Sequence, residues 1–250
     1  MTNFATAPDG IRLAYDDVGE GAETIVLVHG FASSRAQNWR DVGWYDTLTK
    51  AGYRVVSMDC RGHGESDKPH DDASYGDKMV SDIVTVMDHA AIARAHLMGY
   101  SMGGILTVGV LNTSPGRVIK AVCAGIGETY FASKSHRKGI AAALRASDPS
   151  TITDPQEKAF RAFASQGGKD MLALAACMSA DRTMYTAAQL KAVTTPVLVI
   201  DGDKDVQSGR PEPLANAFAH GRAAIIPNRD HMTAVGDKIY KQSVLEFLKS

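Results

Sequence analysis

No stretch of these 250 residues approaches the roughly 18–20 consecutive apolar residues that a helix needs to cross a bilayer, so no membrane association is expected. Cysteine is scarce. Cys60, Cys123 and Cys177 form an odd and widely spaced set, which argues against a disulfide framework and offers no pair at metal-ligand spacing. Cys123 lies in the apolar run 118–126 and reads as a small core hydrophobe. A surplus of either charge is missing too: 27 Lys+Arg against 28 Asp+Glu leave a net charge of −1. Such a balance gives no electrostatic footprint for nucleic acid. Residues 1–10 lack a basic stretch followed by an apolar run, so no signal peptide is expected, and a reducing cytoplasm is the expected compartment. H-E-x-x-H, phosphate-loop and dinucleotide fingerprints are absent, and neither metal nor cofactor is implied. Internal repeats, low-complexity tracts and long linkers are absent as well.

What is present has the balance of a globular protein, with 44% hydrophobic and 22% charged residues. Short β-branched runs recur at 24–29, 53–58, 95–100, 119–125, 196–201 and 223–227. Several are almost continuously apolar, as in Ile25-Val26-Leu27-Val28 and Val197-Leu198-Val199-Ile200, which is what a parallel strand covered on both faces requires. Helical patterns fall between them near 44–51, 75–89, 102–114, 211–220 and 238–249. The alternation predicts an α/β fold with a mostly parallel, doubly wound sheet. Ahead of it, 4–6 and 11–15 flank Asp9-Gly10, a hairpin turn signal. From about Glu128 to Leu190 no strand is predicted, only helical patterns at 135–146, 155–166 and 170–178. The expected organisation is therefore a core of residues 1–127 and 191–250, with 128–190 inserted as a small helical cap.

Gly99-Tyr100-Ser101-Met102-Gly103-Gly104 follows the predicted strand 95–100 and opens an apolar helix. That is the setting of a G-x-S-x-G nucleophile elbow, in which a serine stands on a strained strand-to-helix turn. The helix N-terminus then offers unpaired N–H groups to developing negative charge. A serine hydroxyl is a poor nucleophile at neutral pH, so a base must accompany it. Histidine is the side chain suited to take the proton and return it. Among eight histidines, His231 follows the predicted strand 223–227 and is the candidate. His70, His89, His136 and His220 read as surface or packing residues.

With these motifs the chain resembles the α/β-hydrolase superfamily, serine-nucleophile branch, over essentially its whole length. His29-Gly30-Phe31 ends an early strand as that family's oxyanion loop does. Asp59-Cys60-Arg61-Gly62-His63-Gly64-Glu65-Ser66 resembles its D-x-R-G-x-G-x-S loop, Gly202-Asp203-Lys204-Asp205 follows a late strand, and Asp230-His231 precedes the last helix. The resemblance implies the order Ser101, then an aspartate, then His231. It places the oxyanion donors on the backbone N–H groups of Phe31 and Met102. Asp205 matches the family's G-x-x-D pattern, while Asp203 and Asp201 remain alternatives on the same turn. Two departures stand out: Asp230 occupies the position before the histidine where relatives usually carry glycine, and no proline closely follows Asp205. Asp230 could bear on the imidazole or simply point to solvent.

A serine nucleophile sets aside the branches that use aspartate there, haloalkane dehalogenases and epoxide hydrolases. The resemblance implies hydrolysis of a small carboxylic ester, a small-molecule substrate with water as the only co-substrate. Enol-lactone or C–C bond hydrolysis, or perhydrolysis, is the alternative on the same triad, and a triad-retaining small-molecule receptor a remote one. The first predicted cap helix carries Lys134, Arg137, Lys138 and Arg145 with no acidic residue among them. A solvated basic face is expected, against a sharper reading in which these groups attract an acidic substrate tail.

Overall fold

The computed structural model describes residues 2–132 and 136–250. Strands β1 (Asn3–Thr6) and β2 (Arg12–Val18) form the expected hairpin, with Gly10 in the left-handed region at φ +84°. They are followed by β3 (Glu23–Val28), β4 (Tyr53–Met58), β5 (Ala95–Tyr100), β6 (Val118–Ala124), β7 (Val197–Gly202) and β8 (Gly221–Ile226). The eight form one sheet in the order β1-β2-β4-β3-β5-β6-β7-β8. The first two pairings are antiparallel and all the others parallel.

The continuous apolar runs explain why both faces are covered. In β3, Ile25 and Leu27 enter one buried cluster while Val26 and Val28 enter the other, and Leu198 and Ile200 divide from Val197 and Val199 in the same way. One face packs against α1 (Trp44–Lys50) and α9 (Lys238–Lys249) through Trp44, Leu48, Tyr240, Val244 and Phe247. The other packs against α2 (Lys78–His89), α3 (Met102–Thr113) and α8 (Glu212–Ala217).

Between β6 and β7 the described residues contain helices and no strand: α4 (His136–Arg145), α5 (Pro155–Ala164), α6 (Met171–Ser179) and the short α7 (Ala187–Lys191). Ile140, Leu144, Ala164 and Leu174 bury one another in a third cluster, joined by Ala32 and Phe31 from the loop after β3. Ala176 and Cys177 of α6 belong instead to the core cluster beneath. α6 is thus apolar on both sides because it separates two cores.

Boundaries shift where local backbone overrides the pattern. The helix expected from 75 begins at Lys78, because Gly76 takes φ +71° and cannot be helical. The helix expected to reach 220 stops at Ala217, since Phe218 turns extended (φ −82°, ψ 151°) and buries its ring. β8 begins two residues before the expected run, because Gly221 and Arg222 pair with Val197 and Leu198 despite their weak strand propensity.

Candidate active site

The loops that carry Ser101, Asp205 and His231 follow β5, β7 and β8, so all three lie at the carboxyl ends of parallel strands, where open α/β sheets place their ligand crevices. Ser101 joins β5 to α3 with φ 55° and ψ −114°, a conformation that typically costs a non-glycine residue about 1–3 kcal/mol. The neighbouring glycines hold the strain in place. A Cβ on Gly103 would drive into the carbonyl oxygen of Val28, and one on Gly99 into that of Gly103. The Ser101 N–H is tied to Ala124 O of β6 at 2.7 Å, and its carbonyl accepts the first helical bond from Ile105 at 3.1 Å.

The hydroxyl meets a base. His231 Nε2 lies 2.9 Å from Ser101 Oγ, and Nδ1 lies 2.7 Å from Asp205 Oδ2. A carboxylate can only accept, so Nδ1 carries the ring proton and leaves the Nε2 lone pair facing the serine hydroxyl. Asp205 is buried, and its other oxygen accepts from the N–H groups of Gln207 and Ser208 at 3.0 Å each. Burial would raise this carboxyl, but the hydrogen bond and charge of His231, with the Ser208 bonds, hold it below its ordinary value. Asp203, by contrast, is exposed on the same turn. Asp201 is 1% exposed, and neither carboxyl oxygen has a hydrogen bond of ordinary geometry.

Gly30 stands over the nucleophile, where an added Cβ would come within 3.3 Å of Ser101 Cβ, and Phe31 follows it with its ring against His63 and Phe160. Asn38 Oδ1 accepts from the Gly30 N–H at 3.1 Å and fixes that loop. Met102 is the first residue of α3, so its N–H belongs to the turn that has no intrahelical acceptor. His29 is occupied, its Nδ1 donating to Gly30 O (2.7 Å) and its Nε2 accepting from the Cys60 N–H (3.0 Å). The 59–66 loop is knitted similarly, with Asp59 bound to Arg35 and to the N–H of Glu65, and Arg61 clamped between Asp9 and Asp82.

Asp230 does not engage the imidazole through any described bond. Its Oδ1 accepts from Thr233 Oγ1 (2.7 Å) and from the N–H groups of Thr233 (2.9 Å) and Met232 (3.1 Å), in an exposed turn. Tyr100 is a site residue that the motif reading passes over. Its hydroxyl donates to His231 O at 2.6 Å and its ring lies 5.4 Å from the imidazole, so the residue before the nucleophile anchors the base. Among the other histidines, His70 bonds Asp170 and His89 bonds Tyr15. Of the basic cap residues, Lys134 lies outside the described residues, Lys138 is exposed, and Arg145 pairs with Asp72 at 2.7 Å. Arg137 turns inward.

The chain belongs to the alpha/beta hydrolase family, whose sequence profile matches residues 25–237. Its fold is similar to that of a hydrolase from Pseudomonas aeruginosa PA01, with TM-score 0.83 and 25% identity over 100% of this chain and 98% of that one. It is similar also to an esterase from Exiguobacterium antarcticum, with TM-score 0.79 and 22% identity over all of both chains. In sequence it is 39% identical over 126 residues to a 2-hydroxy-6-oxononadienedioate/2-hydroxy-6-oxononatrienedioate hydrolase of Escherichia coli O81 (strain ED1a). That match covers 50% of this chain and 43% of the relative, so the chain aligns with less than half the length of that protein. No described helix is long and apolar enough to cross a membrane.

Proposed function

We propose that the protein hydrolyses a small carboxylic ester through an acyl-enzyme formed on Ser101. The observation that carries this reading is the unbroken chain Ser101 Oγ–His231–Asp205, with links of 2.9 and 2.7 Å. In this reading Oγ attacks the acyl carbon while Nε2 takes its proton. The oxyanion is held by the N–H groups of Phe31 and Met102, each such donor being worth about 10²–10³ in rate. Collapse expels the alcohol, which receives the proton from His231, and a water activated by the same imidazole then releases the acid. Asp205 fixes the tautomer and stabilises the imidazolium. The helices within 128–190 act as a lid over this site and select the substrate.

The test is turnover of p-nitrophenyl butyrate: it should be saturable and should stop when a fluorophosphonate occupies Ser101. Absence of turnover, or turnover indifferent to the inhibitor, would reject the reading. A second reading has support from the 39% match to a dienedioate hydrolase: cleavage of a C–C bond in a dienone acid on the same triad. Rates on matched esters, enol lactones and dienones separate the two.

A further inference from the structure

This protein neutralises its buried cations with care. Arg35 is matched by Asp16 and Asp59, and Arg61 by Asp9 and Asp82. Two guanidiniums that meet at the Cys177 carbonyl, one of them against Met102, break that habit. Arg182, between α6 and α7, brings Nη2 to 3.6 Å from Met102 Sδ, 3.4 Å from Met79 Sδ and 3.1 Å from Cys177 O. Its Nε is sealed from solvent and has no hydrogen-bond partner. Arg137, from the first turn of α4, converges on the same place, donating from Nη2 to Ala180 O at 2.8 Å and to Cys177 O at 3.4 Å. Neither makes an ion pair with a described carboxylate. Both side chains are at least half-buried. Burial, reinforced by the charge of Arg182 and opposed by the weaker effects of Cys177 and Asp181, pushes Arg137 down to about 10.

Two like charges held largely out of water, with the charge of Asp181 acting on Arg137 but no ion pair to either, favour the entry of an anion. The unused Nε–H of Arg182 and the Nη2 that now rests on Cys177 O, Cys177 Sγ and the two methionine sulfurs form the guanidinium edge that suits a carboxylate, which would displace those contacts on binding. The position selects the fragment. His231 hands its proton to the leaving oxygen, so the alcohol side of the substrate lies towards His231. Arg182 instead touches Met102 and Met79, on the α2–α3 side of Ser101.

We propose that Arg182, backed by Arg137, binds a carboxylate carried on the acyl fragment of the substrate. This rests on the ester-hydrolysis reading and names its substrate class: monoesters of short dicarboxylic acids.

The test compares kcat/KM for p-nitrophenyl hemiglutarate and p-nitrophenyl valerate, whose acyl chains have equal length. In Arg182→Gln the hemiglutarate-to-valerate ratio should fall about tenfold or more, chiefly through KM, and Arg182→Lys should recover part of it. Lys138→Gln removes an exposed cap charge and should move the ratio by no more than about twofold. A ratio unchanged in Arg182→Gln, or lowered equally by Lys138→Gln, overturns the proposal. Glutarate binding to the Ser101→Ala protein, followed by calorimetry, gives a readout free of turnover and should vanish when Arg182→Gln is added. If glutarate binds through Arg182 but no ester is cleaved, the ester reading fails and the anion site stands. If esters are cleaved and glutarate does not bind, the anion site fails alone.

Discussion

Asp203 and Asp205 are two residues apart on one turn, yet only Asp205 reaches an imidazole, because the turn buries it against the N–H groups of Gln207 and Ser208. Asp205→Asn should therefore lower kcat by orders of magnitude, about 10⁴ where the wrong tautomer results, whereas Asp203→Asn should cost little. Rates of both variants on one ester decide this, and an equal modest loss would reject the assignment of Asp205. The serine was legible in the sequence because the strand–turn–helix elbow gives its glycines a mechanical reason, whereas His231 and Asp205 were marked by resemblance to the family's order and G-x-x-D pattern, and the fold brings the three within hydrogen-bond reach. Tyr100 and Arg182 were not singled out in that way, and Arg137 stood only as one of four basic cap residues. Their roles depend on partners far away in the chain (Tyr100 on the His231 carbonyl, Arg182 on Met102 and Met79), and no local pattern encodes such meetings. Asp201, which closes the strand and is the least adaptable of the three because strand alternation sets its side chain, is buried without a bond to His231.

The elements were legible where burial on two faces makes a run wholly apolar, as in β3 and β7, and less so where tertiary pairing overrides propensity, as at Gly221 and Arg222. α7 escaped notice because five residues hold too little periodicity. The elbow turns on close approach of backbone, which yields a matched pair of predictions. Gly103→Ala forces a methyl into the Val28 carbonyl and should destabilise the protein by about 1–3 kcal/mol or more in denaturant titration. Gly116→Ala meets open space in an exposed turn with no left-handed φ, and should be neutral or stabilising by up to about 1 kcal/mol. Equal effects would mean that packing around the elbow is looser than described.

Stability of the whole chain should carry the mark of Asp201. Burial first, and the charge of Asp205 second, raise its pKa to about 8 from an ordinary 3.8. Between those values the folded protein holds a proton that the unfolded chain has released, so this residue makes stability fall as pH rises from about 4 to about 8. Asp201→Asn removes that slope: the variant should gain on wild type in urea midpoint between about pH 5 and about pH 8, and parallel curves would contradict the assignment. At this scale the sequence foretold the sheet and the helical stretch between β6 and β7, but not how that stretch sits. α6 faces both cores, and the inward turn of Arg137 follows from packing that only the folded chain reveals. The central claim is that Ser101 carries the acyl group between the two halves of the reaction. Mass spectrometry of an acid-quenched reaction with a slow p-nitrophenyl ester tests it most directly. The account predicts a mass increase equal to the acyl group on the peptide containing Ser101, accumulating in step with an initial burst of p-nitrophenol. A Ser101→Ala protein that still turned over the ester, or steady turnover with no such adduct, would contradict it.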